Sequence, residues 1–103
     1  MITNLKDILT PAQDKNYAVA CFNVFGYEDA RAVVDSAEAR NASVMLYIKL
    51  DMRQFMTMEE IIGMLRPMAE KSKEPVCLHL DHTYEVDAVK EAIDHINKKF
   101  KSL

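Results

Sequence analysis

The densest cluster of reactive side chains in this sequence is His79-Leu80-Asp81-His82. A carboxylate among imidazoles can move protons or help to hold a cation. Asp81 could work as an acid or base, and His82 could offer a ring nitrogen to zinc. His79 and Asp81 share one strand parity, while His82 falls where the chain leaves that strand. On spacing alone, H-x-x-H without a third ligand also describes a structural or solvent-facing pair. Asn23 and Gly26 bracket a second polar break, which reads equally well as a plain turn, since Asn and Gly tolerate left-handed backbone. Cys21 and Cys77 both lie in apolar runs and read as buried, reduced thiols. His95 stands among Glu91 and Asp94 on a solvated helix face. Met45, Met52, Met56, Met58, Met64 and Met68 fall mostly at core-facing positions and read as packing. The sequence has no Gly-rich phosphate loop and no spacing that argues for a Ser–His–Asp or Cys–His nucleophile.

The elements that must position these residues alternate. Leu5, Ile8, Leu9 and Ala12 recur at helical spacing behind a capping Thr3 or Asn4, with Pro11 expected to kink that helix or restart it at Thr10. Continuous apolar runs at 17–22, 44–48 and 75–80 predict strands buried on both faces. Amphipathic patterns predict helices near 27–40, 57–72 and 84–100. Thr57 and Glu60 form a T-x-x-E capping box ahead of the second of these, and Pro67 should kink it. The last helix carries Val86, Val89, Ile93, Ile96 and Phe100 on one stripe. Strands alternating with helices imply right-handed βαβ crossovers and a parallel sheet, whose function collects at the carboxyl ends of its strands. Asn23 to Gly26, Lys49 to Phe55 and Asp81 to Tyr84 lie there.

With 103 residues, half of them apolar and 28% charged, the chain suits one globular domain over residues 1–103. Thirteen basic against sixteen acidic residues give a net charge of −3, too little positive charge for a nucleic-acid footprint. No apolar run approaches the ~18 residues of a membrane span, and no signal-peptide core opens the chain. The expected setting is the reducing cytoplasm, with neither nucleic acid nor membrane as partner.

Tyr17-Ala-Val-Ala-Cys-Phe-Asn23, Val44-Met-Leu-Tyr-Ile48 and Pro75-Val-Cys-Leu-His-Leu-Asp-His82 together resemble the first three strands of the class II, zinc-dependent ketose-bisphosphate aldolases. The combination of H-L-D-H after a P-V strand with A-x-x-x-F-N upstream is far more specific than either piece. The resemblance implies an α/β fold: three βα units of a (β/α)₈ barrel, a partial barrel with a short parallel sheet. It implies Asp81 as the acid/base that handles a proton on the aldehyde-side oxygen, and Asn23 as a contact to the dihydroxyacetone-phosphate half of the substrate. It implies His82 as a ligand of zinc, which would polarise the ketose carbonyl, and His79 as part of the site wall. The implied substrate is a fructose or tagatose 1,6-bisphosphate.

The chain departs from that pattern in length, since such barrels take ~250 residues. The family's other zinc-binding histidines and phosphate loops belong to later strands. Lys49 stands where family members tend to carry a small polar residue. The resemblance runs to about residue 94, and the divergent tail, 95–103, reads as a truncated, frameshifted or engineered end. The fragment alone is therefore expected to be inactive. The alternatives are a catalytically silent, self-associating module, or a metal-binding fragment completed by another chain. A homodimer is expected through exposed sheet edges or helix faces, because the edge Val76 to Leu80 and its opposite edge have no strand left to cover them.

Overall fold

The computed structural model describes residues 1–48 and 50–97. Lys49 and Phe100, both singled out above, lie outside the described residues, as does most of the divergent tail. The elements run β1 (Ile2–Thr3), α1 (Leu5–Lys15), β2 (Ala20–Val24), α2 (Tyr27–Ala39), β3 (Val44–Ile48), α3 (Leu50–Arg53), α4 (Met58–Lys71), β4 (Val76–Leu80) and α5 (Val86–Asn97). The four strands form one parallel sheet in the order β1-β4-β3-β2.

Local chemistry sets most boundaries. Asn4 caps α1, its side-chain oxygen accepting from the Asp7 amide at 2.8 Å. The helix passes through Pro11 without restarting and ends at Asn16, whose left-handed φ of 58° stops it. Ahead of α2, the Asp29 carboxylate accepts from the amides of Phe25 (2.6 Å) and Gly26 (3.0 Å), so two orphan donors of the first turn are satisfied. The Thr57–Glu60 capping box is present in both directions, at 3.1 and 2.9 Å. Helix α4 likewise runs through Pro67.

Strand parity divides the sheet into two faces. Val24, Val44, Leu46, Ile48, Val76 and Leu78 point toward α2, α4 and α5 and join Ala30, Val34, Ile61, Ile62 and Leu65 in the main core. The other face carries Cys21 and Asn23, Met45 and Tyr47, Cys77 and His79, in rows fixed by the strand register. Among the described residues, a helix covers this face at its amino-terminal end, where Ile8 of α1 packs on Met45 and Cys77, with Val19 and Tyr47 at the border.

Several expectations change. The first strand lies at 20–24 rather than 17–22, because Ala20 is the first residue to meet a partner, Val44. Tyr17 instead donates its amide to Ala12 at the end of α1. That strand is not buried on both faces: it is an edge, and Ala20 to Asn23 are exposed. Cys21 is accordingly exposed, and only Cys77 is buried. The edge at Val76 to Leu80 is half covered, since β1 pairs Ile2 with Val76 and Thr3 with Cys77. The stripe on α5 is split: Ile96 packs against the core beside buried Ala92, while Val86, Val89 and Ile93 remain exposed. Among the described residues, the left-handed ones are Asn16, Asn41 and His82, so the break after β2 does not use that conformation at Asn23 or Gly26.

Candidate functional site

Asn23, Tyr47 and His79 are cross-strand partners in one row near the carboxyl ends of β2, β3 and β4. The Tyr47 and His79 rings meet at a centroid distance of 4.7 Å, tilted by 39°. Asp81 follows directly after β4 and prolongs the ladder by one bond, its amide donating to the Ile48 carbonyl at 3.0 Å. Its carboxylate, 20% exposed, shares the open face with Tyr47. His82 then adopts a φ of 44°, an uncommon conformation for a residue with a side chain, and turns the chain out of the sheet. Its imidazole is 67% exposed, and Nε2 lies 3.8 Å from Asp81 Oδ2. The Thr83 hydroxyl donates to the Asp81 carbonyl at 3.2 Å, which closes the turn.

Asp81 and His82 therefore stand side by side. Asn23 is at the same end of the sheet but two strands away, with Tyr47 between them. Tyr47 is the residue that sequence reading missed. It appeared only as part of an apolar run, although its parity with Asn23 and His79 was available as a signal. A hydrogen bond and charge interaction with Cys21, then desolvation and the Asp81 carboxylate, hold the Tyr47 phenol above its usual range. It stays a protonated hydroxyl at neutral pH and can donate.

A zinc ion does not fit the described residues by themselves. His82 and Asp81 offer two adjacent donors, and no group of three or more His, Cys, Asp or Glu among the described residues is arranged to hold a metal. Catalytic zinc sites take three protein ligands. A 320 Å³ groove lined by Ala20, Phe22, Val33, Ala37 and Arg40 flanks β2, but it lies on the helix side of the strand, opposite in parity to Asn23, and is no part of this site.

A parallel βα sheet with a carboxylate, an imidazole and an amide at its carboxyl edge has the layout of the α/β barrel class of proteins, in which ligands sit at that end. The sequence pattern described as fructose-bisphosphate aldolase class-II matches residues 3–103. The chain belongs to that family, and its fold is a partial (β/α)₈ barrel. It is similar to a fructose-bisphosphate aldolase of Staphylococcus aureus, 28% identical over 96 residues, which cover 90% of this chain and 34% of that protein. It is also similar to a 6-phospho-5-dehydro-2-deoxy-D-gluconate aldolase of Halalkalibacterium halodurans, 31% identical over 96 residues, covering 90% and 33%. Among solved structures, the YdjI aldolase of Escherichia coli superposes with a TM-score of 0.85 at 28% identity, over 92% of this chain and 37% of that one. The chain thus spans about a third of the length of the relatives it matches. No helix among the described residues is long and apolar enough to cross a membrane.

Proposed function

We propose that this chain supplies the proton-transfer and ketose-holding corner of a class II aldolase site that acts on a ketose 1,6-bisphosphate. The observation that carries this reading is Asp81 and Asn23 standing at one end and on one face of the parallel sheet within a family match over residues 3–103. In aldol cleavage the bond between the ketose half and the aldehyde half breaks as the aldehyde-side hydroxyl loses its proton. Asp81 is the group on this chain that takes that proton, and it returns one in condensation. Asn23 orients the dihydroxyacetone-phosphate half through its amide, and Tyr47 stands on the strand between the two. The electron pair left on the ketose half needs an electrophile, and the described residues hold none. His82 brings one imidazole toward the zinc that the family resemblance implies, and the remaining ligands must come from outside the described residues. On this reading the described residues do not suffice for turnover by themselves.

The test is a chimera in which residues 1–97 replace the matching segment of the Staphylococcus aureus relative. The chimera is expected to cleave fructose or tagatose 1,6-bisphosphate, and D81N to lower kcat at least ~100-fold, the lower end of what a positioned acid–base contributes. A folded chimera in which D81N turns over as fast as its parent would remove Asp81 from the reaction.

A second reading, self-association of the isolated chain, rests on the outer edge of β2. No strand among the described residues pairs with that edge, and Phe22 is exposed beside the apolar groove. One patch thus carries both a projecting ring and a hollow, which is what a two-fold symmetric contact between identical chains requires.

A further inference from the structure

The sheet has two ends, and each carries apolar surface that nothing among the described residues covers. At one end stands β2. No described strand pairs with its outer edge, Phe22 is 46% exposed, and the 320 Å³ groove between the strand and α2, lined by Ala20, Phe22, Val33 and Ala37, opens beside it. At the other end β1 pairs with β4 at Val76 and Cys77, and Leu78 to Leu80 have no described strand on that side. Helix α5, which follows β4, packs on α4 and buries Ala92 in the core with Ile96 beside it. Val86, Val89 and Ile93 recur at i, i+3 and i+7 and so form one stripe of that helix. They are 69%, 38% and 51% exposed, so this stripe is not the side that meets α4.

Single exposed apolar side chains are ordinary, but grouped ones mark a contact surface. A two-fold contact between copies of this chain through β2 covers the first end and leaves the α5 stripe in water. One partner covers both if it continues the sheet from β4 and returns to β2, which is how a parallel βα sheet closes into a barrel. Right-handed crossovers put the helices of such a partner in the layer that already holds α2, α4 and α5. The first of them then lies against α5, and the last against the groove beside α2.

We propose that the β2 edge with its groove and the α5 stripe are two halves of one docking surface, whose occupant is a second polypeptide carrying the remaining βα units of a class II aldolase barrel. The chain belongs to that family and spans about a third of the length of its relatives, so the units that fit these flanks are those of the other two thirds. The strand that arrives beside β2 exchanges main-chain hydrogen bonds with the free edge and sets an apolar side chain into the groove. The helix that arrives beside α5 covers Val86, Val89 and Ile93 with an apolar stripe of its own. The partner's identity rests on the function proposed above: Asp81, His82 and Asn23 need further groups beside them, and the same polypeptide brings those.

The experiment co-expresses the tagged 103-residue chain with the Staphylococcus aureus relative lacking the segment that this chain matches, and weighs the purified product by light scattering. A complex with one copy of each is expected. F22E and I93E, at positions open to water in this chain, should each lower its yield at least ~10-fold, as changes at the centre of an interface do, while circular dichroism shows the isolated variants folded. D81N should leave the yield at the parent's level, because Asp81 belongs to the site and to neither flank. In the chimera of residues 1–97, where the same neighbours are joined covalently, I93E should lower the melting temperature, and in the isolated chain it should not. A complex of one copy each that fails to cleave the bisphosphate would count against the proposed function and still support this surface. Recovery of this chain alone, as monomer or homodimer, or an unchanged melting temperature for I93E in the chimera, would overturn the assignment.

Discussion

Leu46 and Phe22 are cross-strand partners on the helix-facing side of the sheet, yet their surroundings differ. Leu46 sits on the inner strand β3 at 0% exposure, whereas Phe22 on the β2 edge is 46% exposed. Truncating each to alanine compares a closed position with an open one in the same row. Leu46→Ala leaves a cavity walled on every side and should cost about 3–5 kcal/mol, the upper part of the range for buried leucines. A buried Phe→Ala costs about 3–5 kcal/mol, and with roughly half of the ring already in water, Phe22→Ala should cost about 1.5–2.5. Against the ~5–15 kcal/mol available to a domain of this size, the first change removes about a fifth of the stability or more. The assay is urea denaturation of both variants and the parent at matched, low chain concentration. Midpoints should fall in the order parent, F22A, L46A, with unchanged slopes. Equal losses for the two variants would refute the reasoning, because they would mean that something covers β2 as completely as β4 covers β3.

Four further outcomes follow from particular residues. Thr57→Ala should cost about 1 kcal/mol by removing the hydroxyl that accepts from the Glu60 amide. Hydrogen bonds from Thr57, first its amide and then its hydroxyl, hold the Glu60 carboxyl below its usual range, so its stabilisation is present above the unfolded pKa and lost as pH falls through the folded one. Glu60→Gln should flatten that acid limb in a thermal-melt series. On the alkaline side the sign reverses for Cys77: burial raises its pKa, so its contribution is full below the ordinary thiol range of about 8.5–9 and is lost as pH climbs through the folded value. Cys77→Ala should remove that alkaline loss while lowering stability at neutral pH. Finally, light scattering at micromolar concentration should give about twice the 11.8 kDa chain mass, and Phe22→Glu should return it to the monomer. A parent mass that stays at 11.8 kDa as concentration rises would end the dimer reading.

The strands at Val44 to Ile48 and Val76 to Leu80 were legible because their apolar runs are covered within this chain, the first by a strand on each side and the second by β3 on one side and β1 at Val76 and Cys77 on the other. The same pattern at Ala20 to Phe22 reads as burial, but composition cannot say whether the cover comes from this chain, and among the described residues no strand pairs with the outer edge. Strand β1 left no periodic trace, since two residues cannot show a period; a partner more than 70 positions away defines it. The capping box was legible because its chemistry is local, and the split stripe on α5 was not, because which side meets α4 depends on the tilt of two helices. At the site, Asp81 and His82 were visible as neighbours in sequence. The Asn23–Tyr47–His79 row depends on register, which one-dimensional reading does not supply.

Strand β1 also constrains the order in which the molecule can assemble. Ile2 and Thr3 bond to Val76 and Cys77, and the Met1 amino group donates to the carbonyls of Ser72 and Glu74. Residues 2 and 3 thus dock on a strand that is made more than 70 positions later. Until β4 is made, Ile2 and Thr3 have no strand to pair with. Closing a loop of that length adds to the entropy that must be overcome before the contact gives anything back. The β2–β3 pair and the α2 helix, built from contacts near in sequence, can form while synthesis continues. The amino terminus then acts as a late clasp, and amide exchange at Ile2 and Thr3 should report how firmly it is shut.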